Sequence, residues 1–272
     1  MLLKLSISIV TYHPDISLLN KVIAALNQSI KIAEDSGFIS GSEIFIVDNG
    51  SDFSSFSESR DLIQRETHFD FLTGHGNVGY GAGNNLALSN STGDYFLVLN
   101  PDVILDQNAI FSALEFMSQH QNCGLLAPAA FDHQGKKLSI CKGYPSVLDL
   151  LVRGFFPYQL QKKFSKRLAQ YERRDLMLKD KTFWNPVLVS GCFMLFRKQI
   201  ISFLGGFDPN YFMYFEDFDI SIRAGKISDI AYVPDVKIEH YGGNASRKGA
   251  KHISMFIRSA ITFFNTHGWR WI

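Results

Sequence analysis

The first part of the chain passes from an apolar run through a polar turn into an amphipathic stretch. Residues 5–10 are rich in Ile and Val and stop at a turn that contains Pro14. Residues 18–32 then carry apolar side chains at helical spacing, namely Leu18, Leu19, Val22, Ile23 and Leu26. This pattern predicts a first strand, a turn and a helix.

Further short apolar runs, at residues 43–47, 69–72 and 95–99, have the length of buried strands. A glycine-rich stretch, residues 74–85, leads into a predicted short helix at residues 86–89. The alternation predicts an α/β fold with a Rossmann-like, mainly parallel central sheet flanked by helices. Ligands of such sheets bind beyond the carboxyl ends of the strands, so residues that follow the apolar runs are the candidates for chemistry.

Composition narrows the class of protein. A chain of 272 residues with 46% hydrophobic side chains can bury a large core in one main domain. A net charge of +1 argues against nucleic-acid binding. The odd set Cys123, Cys141 and Cys192 lacks metal-ligand spacing and favours a reducing, cytoplasmic location. Neither a secretory signal nor an apolar run of roughly 20 residues is found, so any membrane contact is expected to be peripheral.

Residues 136–174 differ from the rest of the chain in charge. They carry ten Lys or Arg residues against Asp149 and Glu172, with Leu, Phe and Tyr interleaved. One interpretation is a surface that lies on an anionic membrane. The other is a solvated helix and linker whose aromatic side chains pack on the core. Residues 256–272, with paired aromatics and two arginines, leave the same choice open.

An acidic cluster lies two-thirds of the way along the chain, where residues 214–219 place Glu216, Asp217 and Asp219 between aromatic side chains. A carboxylate in apolar surroundings loses solvation free energy unless a cation, a metal or a helix terminus compensates it. Such a group can act as a general base for an alcohol. The alternative is an ordinary helix start, in which Asp219 pairs with Arg223 one turn later.

Carboxylates that follow predicted strands are candidate ligand contacts. Asp48 is suited to accept a hydrogen bond from a group such as a pyrimidine N–H, and Thr11 and Tyr12 end the neighbouring strand. Asp102 suits Mg²⁺ or Mn²⁺ bound jointly with a diphosphate. A tight turn after Asp48 and helix capping by Asp102 are the structural alternatives.

The glycine-rich stretch also carries Asn77, Gly79, Asn84 and Asn85, which favour phosphate or ribose contacts. It does not follow the first strand, so we do not interpret its glycine spacing as a dinucleotide fingerprint. A flexible loop is the alternative.

His240 follows another β-like run and precedes a basic pair, Arg247 and Lys248. Contact with a metal or a diphosphate is one interpretation, and a structural histidine is the other.

Seven segments, in order along the chain, closely resemble glycosyltransferase family 2. They are residues 8–12, 47–51, 77–85, 99–102, 190–195, 206–208 and 211–219. The most similar branch is that of bacterial rhamnosyltransferases, which build O-antigen and related cell-surface polysaccharides of the lipopolysaccharide type. The resemblance implies an inverting transfer from a nucleotide sugar by a GT-A domain.

The same resemblance implies the domain organisation. The GT-A domain is expected over residues 1–243, with a basic, aromatic insertion at about 136–175. A C-terminal helical element that associates with a membrane is expected over residues 244–272.

The resemblance also implies roles for individual residues. Asp217 is expected to be the general base, with Glu216 as the alternative base or as a contact of the acceptor sugar. Asp48 is expected to contact the nucleotide base. Asp102 is expected to bind a divalent metal, Mg²⁺ or Mn²⁺, and His240 to complete the metal or phosphate site.

The remaining contacts follow in the same way. The expected nucleotide-sugar contacts also include Thr11, Tyr12, Asn77, Gly79, Asn84, Asn85, Asn100, Asp102 and Arg247. Ser190 and Gly191, with Glu216, are expected to line the acceptor pocket. The familiar Asp-X-Asp metal motif stands here as Asn100-Pro101-Asp102, which predicts a low, donor-dependent metal affinity.

The substrates are inferred from the most similar branch. The expected donor is dTDP-L-rhamnose, and the expected acceptor is a lipid-linked saccharide at the inner face of the plasma membrane. A homo-oligomer is compatible with the sequence. One alternative is a UDP-hexose or UDP-N-acetylhexosamine transferase. The other is a catalytically silent nucleotide-sugar-binding subunit, and the retained Glu216 and Asp217 argue against that second alternative.

Overall fold

A computed structural model describes residues 3–50, 68–177, 179–242 and 249–272. Its strands are β1 Leu3–Thr11, β2 Ile39–Asp48, β3 His68–Leu72, β4 Tyr95–Leu99, β5 Val103–Leu105, β6 Cys123–Phe131, β7 Lys137–Leu138, β8 Cys141–Lys142, β9 Phe183–Trp184, β10 Leu188–Val189, β11 Phe193–Arg197 and β12 Asp229–His240. Its helices are α1 Ile16–Asp35, α2 Tyr80–Asn90, α3 Ala109–Gln119, α4 Val147–Phe155, α5 Tyr158–Lys163, α6 Ser165–Tyr171, α7 Arg174–Met177, α8 Lys198–Phe203, α9 Glu216–Gly225 and α10 Ala250–His267.

The main sheet has the strand order β3-β2-β1-β4-β11-β6-β12-β5. Strands β3, β2, β1 and β4 are parallel neighbours, and β12 is parallel to β6. Strand β11 is antiparallel to both β4 and β6, so six of these strands run in one direction. The prediction of an α/β fold with a mainly parallel central sheet is therefore confirmed.

The core forms where the apolar runs of the sequence predict it. All five residues of β4 are buried, and α1 buries Leu19, Val22, Ile23 and Leu26 with at most 1% exposed surface each. Burial of a side chain of this size contributes roughly 1.5–3 kcal/mol. Packing of these four side chains on the core therefore supplies a large part of the stabilisation of α1.

The helix predicted at residues 86–89 begins earlier, because the second half of the glycine-rich stretch is helical in α2. A methyl group on Gly81 would lie 3.0 Å from Phe207 Cβ, and one on Gly83 would lie 3.0 Å from Val10 Cγ1. These glycines therefore allow the helix to pack closely against its neighbours, and the predicted helix start at residue 86 is six residues too late.

Strand β12 continues through Pro234, which the sequence places after the end of a run. The register with β6 shifts between Val233 and Lys237, and such a bulge accommodates a proline that cannot donate to the ladder. Beyond the bulge, His240 pairs with Val103 of β5. This pairing places His240 beside Asp102, which precedes β5.

The basic segment folds into the short helices α4 to α7. Leu150 is buried, whereas Leu151 and Phe155 are 44% and 45% exposed. The segment thus packs partly on the protein and leaves apolar surface to solvent, and its contact with a membrane stays a prediction. Among the described residues, no helix is both long enough and apolar enough to cross a membrane.

A second apolar cluster, separate from the main core, packs helix α10 on helix α9. Its buried residues are Leu150, Leu188, Tyr211, Phe215, Phe218, Phe263 and Phe264. Several of these rings meet edge to face, for example Phe215 and Phe218 with centroids 5.1 Å apart. The C-terminal helix is therefore held on the acidic motif by aromatic packing.

The buried carboxylate of Asp219 joins three parts of this region. It accepts hydrogen bonds from Arg223 Nε at 2.7 Å, as the helix-start interpretation predicts, and it lies 2.8 Å from His267 Nε2 in α10. Arg223 also donates to the carbonyls of Leu204 and Gly206. Asp219 is 1% exposed, so its charge relies on these partners.

We expect Asp219→Ala to lower the free energy of unfolding by about 3–5 kcal/mol, because Arg223 would remain partly buried without its carboxylate. Urea denaturation followed by circular dichroism would measure the loss. The control is Asp175→Ala, which removes a 3.9 Å pair with Arg173 from a 64% exposed side chain, and its effect should stay within about 1 kcal/mol. Equal effects of the two substitutions would contradict this role of Asp219.

Candidate active site

A cavity of about 450 Å³ lies beyond the end of β4. It brings together residues that are far apart in the sequence. Of the predicted site residues, its lining includes Asn100, Asp102, Ser190, Gly191, Glu216, Asp217 and His240. The predicted base and the predicted metal ligands therefore share one cavity.

The acidic pair enters this cavity through an unusual bend in the backbone. Tyr214 and Phe215 have φ angles of 72° and 66°, in the left-handed region that non-glycine residues rarely adopt. Each such residue costs on the order of 1–3 kcal/mol. Phe215 is 3% exposed and packs on Phe256 and Phe263, which holds the bend in place. Helix α9 starts directly after it, at Glu216.

The two carboxyl groups have different surroundings. Glu216 is 6% exposed, and its Oε2 is buried without a hydrogen-bond partner. Burial, and next the charge of Asp217, raise the pKa of Glu216 well above its ordinary value. Burial also raises the pKa of Asp217, but the Lys142 charge and hydrogen bonds from the amides of Gly191 and Phe218 oppose this shift. Asp217 therefore ionises first, and Glu216 holds its proton to higher pH.

Hydrogen bonds link Asp217 to the end of β4. The Gly191 N–H donates to Asp217 Oδ2 at 2.9 Å. The Tyr80 hydroxyl lies 2.8 Å from the Gly191 carbonyl and 2.7 Å from Asn100 Oδ1, and it donates to one of them at a time. Burial and the nearby Glu216 carboxyl raise the pKa of Tyr80 well above its ordinary value, so the phenol remains a donor.

Asp102 and His240 form the second polar group of the cavity. His240 Nε2 lies 3.4 Å from Asp102 Oδ1, and the Tyr241 N–H donates to the Asp102 carbonyl at 2.9 Å. Asp102 Oδ1 is buried without a hydrogen-bond partner. A methyl group on Gly242 would lie 2.2 Å from Asp102 Oδ2 and 2.7 Å from His240 Nε2. A larger residue at this position would therefore displace the Asp102 and His240 side chains.

Asp48, Thr11 and Tyr12 lie at the same edge of the sheet but outside this lining. The parallel register of β1 and β2 pairs Thr11 with Asp48, and Thr11 Oγ1 lies 3.3 Å from Asp48 Oδ1. Strand β2 is two positions away from β4, about 10 Å at the usual strand spacing. Tyr12 is 51% exposed. Their contact with a nucleotide base stays a prediction.

The side-chain amides of the glycine-rich stretch form hydrogen bonds inside the protein. Asn84 is fully buried and accepts from Ser8 Oγ at 2.7 Å. Asn85 Nδ2 donates to the Phe207 carbonyl, and its Oδ1 accepts from the Phe207 N–H. Asn77 Oδ1 accepts from the Gly79 N–H at 3.1 Å. None of the three lines the cavity, and this geometry gives no support to their predicted ligand contacts.

Gly79 has a packing role next to the acidic motif. It directly precedes α2 and has a φ of 91°. A methyl group there would lie 2.2 Å from the Phe212 carbonyl oxygen. The Tyr80 N–H donates to the same carbonyl at 3.0 Å. The glycine-rich stretch thus supports the bend before α9. Arg247, the remaining predicted contact, lies outside the described residues.

The structure adds lining residues that the sequence alone did not indicate. Lys142 and Arg153 of the basic segment reach the cavity, as do Tyr80 and, from α10, His252 and Phe256. No local pattern singles them out, because their placement depends on how distant elements pack. The lining thus contains a carboxylate that can accept a proton, a carboxylate and a histidine that can bind a cation, and two basic side chains. These groups surround a space for one or two bound molecules.

Curated relatives are similar over most of the chain. The N-acetylglucosaminyl-diphospho-decaprenol L-rhamnosyltransferase of Mycobacterium tuberculosis is 27% identical in a 236-residue alignment that covers 81% of this chain and 73% of that protein. The rhamnosyltransferase WbbL of Escherichia coli is 26% identical in a 199-residue alignment that covers 69% of this chain and 70% of that protein.

Solved structures share the fold. GalNAc-T7, crystallised with UDP, GalNAc and Mn²⁺, matches with a TM-score of 0.67 and 14% identity over 97% of this chain. A Pyrobaculum calidifontis mannosyltransferase, crystallised with GDP-Man and Mn²⁺, matches with a TM-score of 0.61 and 14% identity over 96%. This chain spans 48% and 65% of those two chains. The predicted GT-A fold is confirmed.

The family of this chain is shown by a match to a family model rather than to a single protein. The model of the family described as Glycosyl transferase family 2 matches residues 6–205, which is well over half of the chain. The chain is a glycosyltransferase and belongs to glycosyltransferase family 2.

Proposed function

We propose that this protein is an inverting glycosyltransferase that transfers L-rhamnose from dTDP-L-rhamnose to a hydroxyl of a lipid-linked saccharide, in the synthesis of a cell-surface polysaccharide. The observation that carries the proposal is the shared cavity, in which Asp217 faces the same space as Asp102 and His240. The choice of rhamnose is supported by the two related rhamnosyltransferases, and the choice of a lipid-linked acceptor by the name of the mycobacterial one.

In the proposed reaction, Asp217 takes the proton of the acceptor hydroxyl while that oxygen attacks the anomeric carbon of the donor. The nucleoside diphosphate leaves from the opposite side, so the configuration inverts. General-base assistance of this kind contributes about 10²–10⁴ in rate. The amides of Gly191 and Phe218 orient the carboxylate, which supports its role as the base. Glu216, which holds its proton longer, is suited to hydrogen-bond the acceptor sugar.

A divalent metal fits the residues at the other polar group. Asp102 Oδ1 is a buried oxygen without a partner, and His240 supplies a nitrogen 3.4 Å away. No cluster of three or more His, Cys, Asp or Glu suited to a metal occurs in the described part of the chain, so diphosphate and water oxygens would complete the coordination. When bound, Mg²⁺ or Mn²⁺ would supply Lewis-acid stabilisation of the leaving diphosphate.

The proposed site of action is the inner face of the plasma membrane, where a lipid-linked acceptor would present its sugar. The exposed apolar side chains of α4, Leu151 and Phe155, support a peripheral contact because Phe155 also lines the cavity. Exposed Lys163 and Lys166 lie on the helices that follow. Such a mixture of basic and apolar groups is typical of surfaces that bind anionic lipids.

The direct test is product formation. The purified protein is incubated with Mn²⁺ or Mg²⁺, a polyprenyl-diphosphate-linked saccharide, and a panel of dTDP-, UDP- and GDP-sugars. We expect transfer from dTDP-L-rhamnose with inverted anomeric configuration, determined by NMR of the product. Transfer from a UDP-sugar alone would replace the proposed donor, and donor binding without transfer to any acceptor would indicate a silent binding subunit.

We expect Asp217→Asn to lower kcat by about 10²–10⁴ with little change in donor binding, because the amide cannot accept the proton. Glu216→Gln, which keeps the shape of a protonated carboxyl group, should retain kcat within about tenfold. Steady-state kinetics on both variants, with thermal melts as a check of folding, measure the contrast. A reversed order of the two losses would assign the base to Glu216.

We expect Gly242→Ala to weaken Mn²⁺ binding in the presence of a nucleoside diphosphate, by about 10- to 100-fold, because the new methyl group would displace Asp102 and His240. Electron paramagnetic resonance of free Mn²⁺ measures the affinity without turnover. The matched control is Gly41→Ala, since a methyl group there meets no atom within 4 Å. Unchanged Mn²⁺ affinity in Gly242→Ala would remove Asp102 and His240 as the metal ligands.

A further inference from the structure

We propose that Lys142 and Arg153 form a binding site for the diphosphate group of a prenyl-diphosphate-linked acceptor, within the same cavity as the catalytic carboxylate. The inference rests on the proposed function for the identity of the acceptor. It assigns to this chain a second anion site, separate from the one at Asp102 and His240.

Lys142 is a buried cation without a bonded partner. Its side chain belongs to β8, the residue is 8% exposed, and it lines the cavity. No hydrogen bond or ion pair joins its ammonium group to another residue in the described ranges, and Nζ lies 5.2 Å from the centre of the Phe218 ring. Burying an ammonium group costs free energy unless an anion compensates it. An anionic ligand would supply that compensation.

Arg153 provides a second positive charge beside the first. It lines the cavity from α4, and its side chain is 47% exposed. Burial, and next the charge of Arg153, lower the pKa of Lys142 to about 8, so the ammonium group remains largely protonated at neutral pH. Two neighbouring cations repel each other, and a diphosphate between them would convert that repulsion into attraction.

The acidic neighbours do not use up this charge. Glu172 lies 3.3 Å from Arg153 Nε, but it also accepts from Arg174 Nε at 2.7 Å. Asp217 opposes the lowering of the Lys142 pKa, yet its oxygens accept hydrogen bonds from two backbone amides. An Arg side chain carries five N–H donors, so Arg153 retains donors for a ligand.

The position of these cations suits an acceptor. Contacts order the lining from Asn100, beside Asp102, through Tyr80 and Gly191 to Asp217, which lies next to Lys142. The base would thus stand between a donor diphosphate held near Asp102 and an acceptor diphosphate held near Lys142. This is the order that transfer to a sugar linked to a diphosphate requires.

The surface beside Arg153 suits the lipid. Leu151 and Phe155 on the same helix are exposed. The C-terminal residues are hydrogen-bonded to the start of that helix. The Val147 N–H donates to the Arg270 carbonyl, and the Leu148 N–H donates to the Trp271 carbonyl. Trp271 is 64% exposed and stacks on Trp269. A prenyl chain leaving the cavity would meet this apolar surface.

Direct binding tests the site without turnover. Farnesyl diphosphate, inorganic pyrophosphate and farnesol are titrated by calorimetry without divalent metal into the unmodified protein, Lys142→Met, Lys142→Arg, Arg153→Gln and the control Lys31→Met, which removes an exposed lysine of α1 outside the cavity lining. We expect farnesyl diphosphate to bind at least tenfold more tightly than either other probe, and Lys142→Met and Arg153→Gln to weaken it by roughly tenfold or more each. Lys142→Arg should largely restore binding, and Lys31→Met should leave it unchanged.

Equal affinity of Lys142→Met and the unmodified protein for farnesyl diphosphate would overturn the proposal, as would an equal loss of affinity in Lys31→Met. Pyrophosphate binding as tightly as farnesyl diphosphate would overturn the assignment to a lipid-linked ligand. Thermal melts establish that each variant is folded. These outcomes do not depend on catalysis, so a failure of the unmodified protein to transfer any sugar would count against the proposed function alone.

A kinetic comparison separates this role from that of a simple counter-ion of Asp217. With a prenyl-diphosphate-linked acceptor, Lys142→Met should raise KM roughly tenfold, whereas with an uncharged alkyl glycoside acceptor KM should not change. Because the Lys142 charge also favours the ionised form of Asp217, its loss should move the acid limb of both pH profiles to higher pH, and KM is therefore compared on the plateau above that limb. A KM that is unchanged for the diphosphate-linked acceptor, or raised equally for both acceptors, would overturn the diphosphate site.

Discussion

The position of helix α9 depends on the buried polar contacts of Asp219, and the cavity depends on the position of α9. The two left-handed residues before the helix are unfavourable, each by about 1–3 kcal/mol, and they persist only because the surroundings fix them. Asp219 fixes one side through Arg223 and His267, and the aromatic cluster around Phe215 fixes the other. Helix α9 starts directly after the strained bend, and its first two residues, Glu216 and Asp217, line the cavity.

The two adjacent, buried carboxyl groups of Glu216 and Asp217 differ in their pKa values because their neighbours differ. Both pKa values are raised by burial, but the charge of Lys142 and the amides of Gly191 and Phe218 oppose this rise at Asp217, whereas the charge of Asp217 adds to it at Glu216. Neighbouring carboxyl groups of this kind lose their protons in two steps, so one is ionised while the other is still a donor. The Tyr80 phenol, which keeps its proton, links the ionised group to the end of β4. One base, one neutral donor and one cation thus surround the same space.

Sequence reasoning located the features that depend on local order. Asp48 and Asp102 follow apolar strands, and the rule for parallel sheets places both at one edge, as the structure has them. The approach of His240 to Asp102 could not be predicted, because it depends on a bulge and on the pairing of β12 with β5. Asn85 was expected to bind ligand, but its amide holds the Phe207 backbone, a partner that only the tertiary fold supplies.

The division of the cavity between two parts of the chain follows from these contacts. The match to the family ends at residue 205, and this part holds the end of β4 and the Gly191 amide. Asp217, His240 and His252 all lie beyond it, on α9, β12 and α10. The C-terminal part therefore supplies both carboxyl groups of the acidic pair and much of one wall of the cavity. His240 is held by β12 of the central sheet, whereas the side chains of α10 are held by aromatic packing, so the α10 side of this wall can change without disturbing the strand edge.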